Sequence, residues 1–218
     1  VWATITKADP VERFVGKTMR LGLGYGTGAA KLRHTLKTQP PGADLSEDEC
    51  KRLVDTWRES NDKIVSLWRE CDNALNHLAS WPEDGRPYYL GEHKCVIVDK
   101  QGIRLPNGLY IRYPGLRLED NRYVYNSRKG KVSLWGGAVV ENVVQALARI
   151  IIGRQMIHIN NHYRVVLTVH DAAVCIISVR KINEAVETIT RIMSTPPEWA
   201  VGLPVTCEVK FAENYGDC

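Results

Sequence analysis

The chain has 218 residues, of which 44% are hydrophobic and 25% are charged, and a formal net charge of +4. This composition is ordinary for a soluble globular protein, and the length is sufficient for one large core or two small ones. No uninterrupted apolar run approaches the roughly 20 residues that span a bilayer, so no membrane partner is expected.

The six cysteines, at positions 50, 71, 95, 175, 207 and 218, are spaced too widely for a Cys-x-x-Cys zinc site. The chain is neither small nor dense in cysteine, so we expect reduced thiols and a cytoplasmic location. Residues 1–4 lack the basic start and apolar core of a signal peptide. Because the first residue is Val rather than Met, we expect a fragment or a processed piece.

Charge is unevenly distributed along the sequence. Residues 1–37 carry seven Lys/Arg against two Asp/Glu, residues 44–92 carry six against twelve, and residues 101–131 carry seven against two. Two basic segments on either side of an acidic one predict a local anionic partner, although two solvated faces would give the same pattern.

Residues 9–21 are predicted to form the first helix, with Asp9 at the N-cap and a proline at the first helical position. Arg13, Lys17 and Leu21 are spaced by four residues and therefore line one helix face. Two cations one turn apart repel each other. A polyanion such as a triphosphate between them would explain the pair, but ordinary surface helices also carry Arg–Lys pairs.

Glycines alternate at positions 22, 24, 26 and 28 after this helix. Tyr25, placed among them, suits stacking against a nucleobase, or else packs as an ordinary aromatic residue at a helix C-terminus. A dinucleotide-binding fingerprint is rejected because a helix, not a strand, precedes the glycines. A P-loop is excluded because no Gly-Lys-Ser/Thr follows.

Residues 46–79 are predicted to form one or two helices that begin at a capping box, Ser46 with Glu49, and that place Trp57 and Trp68 in the core or in helix contacts. From residue 88 the pattern changes to short strands. We expect them at 95–98, 102–105 and 109–113, with a turn at 106–108.

The remaining elements alternate between helix and strand. Residues 121–131 are predicted to be an exposed hairpin or loop, and residues 134–152 a helix whose notable polar side chains are Gln145 and Arg149. An amphipathic helix is expected at 181–193, and a last alternating strand at 204–211.

The segment 165–177 contains two apolar, β-branched runs separated by His170 and Asp171. We predict a hairpin packed inside a sheet, with Asp171 at the tip of its tight turn and Cys175 as a small core residue. A carboxylate held on a rigid sheet edge suits a metal ion. A turn Asp bonded to its own backbone would look the same in sequence.

Taken in order, these motifs resemble a family A (DNA polymerase I-type) DNA polymerase of the bacteriophage kind. Arg13-x-x-x-Lys17, followed by Leu21 and by Tyr25-Gly26, is similar to the fingers helix that binds the incoming nucleotide. The resemblance implies that Arg13 and Lys17 bind the dNTP triphosphate and that Lys17 also protonates the pyrophosphate leaving group. Leu21 stands where the family often has Phe or Tyr. Tyr25 stands at the template-base position, and Gly26 beside it allows close packing in this DNA-binding part.

Val169-His170-Asp171 is similar to the palm hairpin that carries one of two catalytic carboxylates. The resemblance implies that Asp171 ligates Mg²⁺, that His170 lies near the primer terminus, and that Gln145 contacts the minor groove of the primer–template DNA. The family usually has Glu after this Asp, where the chain has Ala172.

The resemblance also implies an α+β fold, with a helical fingers subdomain over residues 1–87 and an antiparallel-sheet palm subdomain over residues 88–218. Nucleotidyl transfer by two Mg²⁺ ions needs a second carboxylate. In the family this motif precedes the fingers helix, and the chain begins too late to include it. The expected partners are primer–template DNA, dNTPs and the missing N-terminal polymerase part, on the same chain or on a separate subunit.

The expected function is therefore template-directed addition of dNTPs to a primer 3′-hydroxyl in DNA replication. The alternative is a non-catalytic nucleotide- or nucleic-acid-binding module, because the usual Glu and the first carboxylate motif are both missing. A Ser/His/Asp hydrolase is disfavoured because no Gly-x-Ser-x-Gly nucleophile elbow is present.

Overall fold

Two units make up the chain in a computed structural model that describes residue 5 and residues 9–217. The first unit comprises Val1–Arg86 with Arg112–Asn142, and the second comprises Pro87–Ile111 with Val143–Cys218. The predictions for residues 1–4 and for the Cys218 thiol lie outside the described residues. The other five cysteines are free thiols.

Four helices form the first part of the first unit: α1 (Pro10–Leu23), α2 (Ala29–Thr38), α3 (Glu47–Ser60) and α4 (Asp62–Ala79). The predicted first helix is confirmed and runs two residues beyond the predicted end. Helix α2 was not predicted. The first three helices share one core cluster, made of Val15, Met19, Leu23, Leu32, Leu36, Cys50 and Val54.

Helix α3 begins at the predicted capping box. The Glu49 backbone N–H donates to Ser46 Oγ at 3.2 Å, and the Ser46 backbone N–H donates to Glu49 Oε2 at 2.8 Å. The Ser46 hydroxyl also donates to Glu49 Oε2, at 2.7 Å. The hydroxyl and the Ser46 backbone N–H together stabilise the charged carboxylate, so the pKa of Glu49 lies below its usual value.

A three-stranded antiparallel sheet completes the first unit: β5 (Arg117–Glu119), β6 (Arg122–Ser127) and β7 (Gly130–Leu134). The predicted exposed hairpin is confirmed as β6 and β7. Asp120 and Asn121 join β5 to β6 with φ of 46° and 59°. Positive φ at both central residues is the pattern of a type I′ turn, which suits the twist of a hairpin.

The second unit opens with a four-stranded antiparallel sheet in sequence order: β1 (Tyr88–Leu90), β2 (Val96–Asp99), β3 (Gly102–Arg104) and β4 (Tyr110–Ile111). The last three are the predicted short strands. The predicted turn between β3 and β4 is closed by the Leu105 N–H, which donates to the Leu109 carbonyl at 2.8 Å. The Leu109 N–H donates to the Asn107 side chain at 3.1 Å.

The rest of the second unit contains most of helix α5 (Gly136–Asn160), strands β8 (Arg164–Val169) and β9 (Ala172–Ile176), and helix α6 (Ile182–Met193). Helix α5 begins two residues after its predicted start, since Leu134 belongs to β7, and it ends eight residues after its predicted end at 152. A small core cluster forms around Ile159, Tyr163 and Ala185.

Helix α5 is, among the described residues, the one helix long and apolar enough to cross a membrane by length and composition alone. The core helix of a soluble protein passes the same test. Glu141 and Arg149 interrupt its apolar sequence, and Val139 and Ile159 are fully buried.

The hairpin of β8 and β9 forms as predicted, but it is not packed inside a larger sheet. The two strands pair only with each other among the described residues. Val166, Leu167 and Ile176 are 44%, 48% and 64% exposed, and Cys175 is half-buried rather than in the core. The sequence prediction was wrong here. Apolar residues on both faces of a strand allow it to be buried, but they do not show that another element covers it.

The strand predicted at 204–211 is absent from the described structure, where this segment forms no backbone ladder. Its side chains nevertheless alternate, with Val205, Cys207 and Val209 half-buried and their neighbours exposed. The segment is therefore extended, but no described strand pairs with it. The described residues form six antiparallel strand pairings in three sheets, beside six α-helices, so the α+β class is confirmed at the level of mixed helices and antiparallel sheets.

Candidate functional site

One face of helix α1 carries an exposed row of cations. Arg13 and Lys17 lie on this face as predicted, and Arg20, which is not among the predicted site residues, extends it by a further turn. The opposite face carries the buried Val15 and Met19. Because the apolar face packs into the core, the cationic face is directed to solvent.

The charges on this face are not neutralised within the described part of the chain. Neither the Arg13 side chain nor the Lys17 side chain has a hydrogen-bond or ion-pair partner among the described residues. Arg13 lies in the first helical turn, where the helix dipole disfavours a cation by roughly 0.3–1 kcal/mol, offset in part by Glu12 beside it. An anion bound over the row would relieve both the dipole and the repulsion between neighbouring cations.

The predicted aromatic position lies just past the end of the same helix. Tyr25 is 38% exposed and Leu21 is 61% exposed. The backbone N–H groups of Tyr25 and Gly26 donate to the carbonyls of Gly22 and Leu23 at 3.1 and 2.9 Å, which forms a tight turn. Gly26 has a φ of +77°, a conformation that favours glycine.

Two tryptophans contact this turn. The Trp68 indole N–H donates to the Gly24 carbonyl at 3.2 Å. The Trp135 ring lies so close to Gly26 that a β-carbon there would be 2.0 Å from it. The two indoles meet edge to face, with centroids 5.7 Å apart, and Trp57 stacks on Trp68 at 6.3 Å.

The helical spacing of Trp57 and Trp68 predicts core or helix contacts for both, and Trp68 is buried. The contact of Trp135 with this turn is not among the predictions. The available signal was the Trp-Gly-Gly sequence at residues 135–137, because an aromatic residue followed by two glycines at a helix start permits close backbone approach.

His170 and Asp171 form the tip of the β8–β9 hairpin, as predicted. The strands end at Val169 and resume at Ala172, so the turn has two residues. His170 has a φ of +53°, and a positive φ at the first central residue alone is the pattern of a type II′ turn, which prefers glycine there. A side chain in this conformation costs roughly 1–2 kcal/mol, and such strain is concentrated at functional sites.

The Asp171 side chain is exposed and has no hydrogen-bond or ion-pair partner in the part of the chain that the structure describes. A turn Asp with a purely structural role would accept a hydrogen bond from its own backbone, and the described structure shows no such bond to Asp171. An exposed carboxylate at the tip of a two-residue turn is chemically suited to a cation.

A complete protein cage for a metal is not formed, since the described residues contain no group of three or more His, Cys, Asp or Glu side chains able to hold one. Mg²⁺ does not need such a cage, because it commonly takes one or two carboxylates together with substrate phosphates and water. Asp171 fits the role of one such ligand. Ala172 cannot supply a second.

The predicted site residues fall into two groups. Arg13, Lys17, Leu21, Tyr25 and Gly26 lie together on one helix and its following turn in the first unit. The second unit contains the other three, Gln145, His170 and Asp171. Gln145 is exposed on helix α5.

The chain is similar to a DNA polymerase of Bacillus phage SP02. The two are 31% identical over 227 aligned residues, which cover 97% of this chain and 34% of the phage protein. The chain therefore spans about a third of the length of that relative. No protein-family model and no solved structure matches the chain.

Proposed function

We propose that the chain is the fingers and C-terminal palm part of a DNA-directed DNA polymerase, which adds dNTPs to a primer 3′-hydroxyl on a DNA template. The observation that carries this proposal is the exposed cationic face of α1, which has no described counter-ion and leads directly into the Tyr25–Gly26 turn. The similarity to a phage DNA polymerase along nearly the whole chain supports it.

In this proposal the first unit binds the incoming nucleotide. Arg13 and Lys17, one helical turn apart, hold the triphosphate, and Lys17 donates a proton to the pyrophosphate leaving group. Leu21, which is exposed on the same face, packs beside the sugar and base. Tyr25 and Gly26 lie at the template base, where the exposed ring of Tyr25 offers a stacking surface.

The second unit, in the same proposal, handles the primer end. Asp171 contributes a carboxylate ligand to Mg²⁺, His170 lies near the primer terminus, and Gln145 contacts the minor groove. Bound Mg²⁺ supplies electrostatic stabilisation of the phosphoryl oxygens during transfer. The strained turn at His170 fixes the position of the carboxylate next to it.

The remaining carboxylate comes, in this proposal, from the polymerase part that the chain does not include. The phage DNA polymerase supports this proposal, because the chain covers only 34% of its length. The exposed apolar side chains of the hairpin, Val166, Leu167 and Ile176, offer that part a surface to cover. It belongs either to the same polypeptide or to a separate subunit, and the assembled enzyme acts in the host cytoplasm.

Nucleotide binding gives the first test. A double variant, Arg13→Ala with Lys17→Ala, is compared with Lys31→Ala and Lys37→Ala, which remove the same charge from exposed positions of the neighbouring helix α2. Titration with a fluorescent dNTP should show at least about tenfold weaker binding for the first pair, since each lost charged hydrogen bond is worth about 1.5–3 kcal/mol. Equal weakening by the control pair would contradict a triphosphate site on α1.

Catalysis gives the second test. In a polymerase that contains the upstream part, Asp171→Asn should abolish primer extension while primer–template binding is retained. Asp120→Asn is the matched control, because Asp120 is also an exposed turn carboxylate. Unchanged extension by Asp171→Asn would refute the ligand role, and extension by the isolated 218-residue chain with Mg²⁺ would refute the need for a second carboxylate from elsewhere.

The alternative function is a non-catalytic nucleotide- or nucleic-acid-binding module. Ala172 next to Asp171, in place of a second carboxylate, favours it. The two functions differ in their metal dependence. Binding that needs Mg²⁺ and weakens in Asp171→Asn supports the polymerase, whereas metal-independent binding that falls steeply with salt supports the module.

A further inference from the structure

The turn that presents Tyr25 is held from both sides by tryptophans. On the preceding residue, the Gly24 carbonyl accepts the Trp68 indole N–H at 3.2 Å. On the following residue, Gly26 has no room for a side chain, because its β-carbon would lie 2.0 and 2.4 Å from two carbons of the Trp135 ring. The backbone before and after Tyr25 is therefore fixed.

The two tryptophans are themselves immobilised. The Trp135 ring also lies against Gly137, where a β-carbon would be 2.2 Å from the ring. Gly136, between them, packs on the Trp68 carbonyl so closely that a β-carbon would be 1.9 Å away. The Gly136 N–H donates to Asp72 Oδ1 at 2.6 Å, which anchors the first turn of α5 on α4.

This packing is more specific than a hydrophobic core requires. Trp135 is still 40% exposed, so burial alone does not account for its position. Its ring lies between the backbones of Gly26 and Gly137, and the edge-to-face contact with Trp68 adds roughly 0.5–1.5 kcal/mol beyond the buried area. The arrangement couples the start of α5 and the middle of α4 to one short turn.

We propose that Trp68 and Trp135 are positioning residues that fix the orientation of Tyr25 and thereby set how strictly the enzyme selects the correct dNTP. The inference rests on the proposed function, because the selectivity role assumes that Tyr25 lies at the template base. The holding of the turn itself does not depend on that assumption. Neither tryptophan touches substrate in this proposal.

The first experiment measures the turn directly, by hydrogen exchange of the 218-residue chain. The Tyr25, Gly26 and Thr27 amides are bonded within the turn at 3.1, 2.9 and 3.2 Å. Trp68→Phe keeps a ring but removes the donor to Gly24, and should speed exchange of these amides roughly fivefold, the shift expected for one hydrogen bond. Trp135→Phe should do the same by loosening the contact with Gly26.

Trp57→Phe is the matched control for this experiment. Trp57 belongs to the same aromatic cluster and stacks on Trp68, but it makes neither the hydrogen bond to Gly24 nor the ring contact at Gly26. Its exchange rates at Tyr25, Gly26 and Thr27 should equal those of the unsubstituted chain. Equal rates in all three variants would overturn the positioning proposal.

The second experiment measures selectivity in the polymerase that contains this chain. The readout is the ratio of kcat/KM for a correct dNTP to that for an incorrect one. Misfolding of part of the sample lowers both values equally and leaves the ratio unchanged, so a merely structural role would not move it. Trp68→Phe and Trp135→Phe should lower the ratio about fivefold or more, and Trp57→Phe should not.

The outcomes separate the two levels of inference. Faster exchange with a lowered ratio supports positioning by the tryptophans. Faster exchange with an unchanged ratio overturns the selectivity role while leaving the polymerase assignment intact. If the unsubstituted polymerase extends no primer, the proposed function fails together with the selectivity role, whatever the exchange rates show.

Discussion

A single methyl group added at Gly26 should cost considerable stability, because two separate effects oppose it. In Gly26→Ala, the new β-carbon would lie 2.0 Å from one carbon of the Trp135 ring and 2.4 Å from another, distances that van der Waals contact forbids. The φ of +77° is also unfavourable for alanine. The ring must therefore move or the turn must change conformation.

The expected loss follows from these two effects. An L-residue in the left-handed region costs roughly 1–2 kcal/mol, and overpacking of a well-filled site costs about 1–3 kcal/mol. Together they predict that Gly26→Ala lowers the free energy of unfolding by about 2–5 kcal/mol. Gly24→Ala is the matched control in the same turn. Gly24 has a φ of −57° and ψ of −24°, and the nearest atom to its β-carbon is the Arg20 carbonyl oxygen at 3.6 Å.

Urea unfolding followed by far-UV circular dichroism measures this difference. Gly24→Ala should be neutral or slightly stabilising, since alanine in a helical conformation restricts the unfolded chain. Gly26→Ala should lower the transition midpoint without a change in slope. If both variants unfold at the same urea concentration, Trp135 does not confine Gly26 and the reasoning about the turn is wrong.

Three further perturbations have defined outcomes in urea unfolding. Asp72→Asn should lower the free energy of unfolding by about 0.5–2 kcal/mol, because it removes a carboxylate from the N-terminus of α5. The control Asp84→Asn, in an exposed loop, should leave the free energy of unfolding unchanged. His170→Gly should gain about 0.5–1 kcal/mol by relieving the φ of +53°, and a loss would show that the turn is not strained. Burial raises the pKa of Cys71 from 9.0 to about 12. The fold thus favours the neutral thiol, and its contribution to stability is complete below pH 9 and is lost as pH rises towards 12. Between about pH 8 and about pH 11, the free energy of unfolding should therefore decrease less in Cys71→Ala than in the unsubstituted chain.

The helices were predictable where a local signal marked them. Helix α3 has a capping box at Ser46. Helices α1 and α6 have amphipathic patterns, which are visible in the sequence without any knowledge of tertiary contacts. Helix α2 escaped prediction because only Leu32 and Leu36 mark its buried face and glycines precede it. Two apolar residues one turn apart are too weak a pattern to distinguish a helix from a loop.

The candidate site likewise has one part that local sequence predicts and another that depends on contacts between distant residues. The shared face of Arg13 and Lys17 follows from spacing within one helix, so the sequence predicts it without a fold. The contact of Trp135 with Gly26 joins residues that lie far apart in sequence, and no local rule places them together. The partner of Trp68 is a backbone carbonyl, which carries no sequence signature at all.

The segment 204–211 shows most clearly what a period of two can and cannot predict. Its alternation is real, since Val205, Cys207 and Val209 are half-buried and the Cys207 thiol lies 3.9 Å from the Thr190 carbonyl of α6. Side-chain alternation is decided by one strand, but a ladder requires the backbone of a second. No described strand provides that second backbone for this segment, and the β8–β9 hairpin likewise pairs only with itself. Unpaired strand edges are a liability that folded proteins cover. Under the proposed function, both features are surfaces that the remaining part of the polymerase would cover.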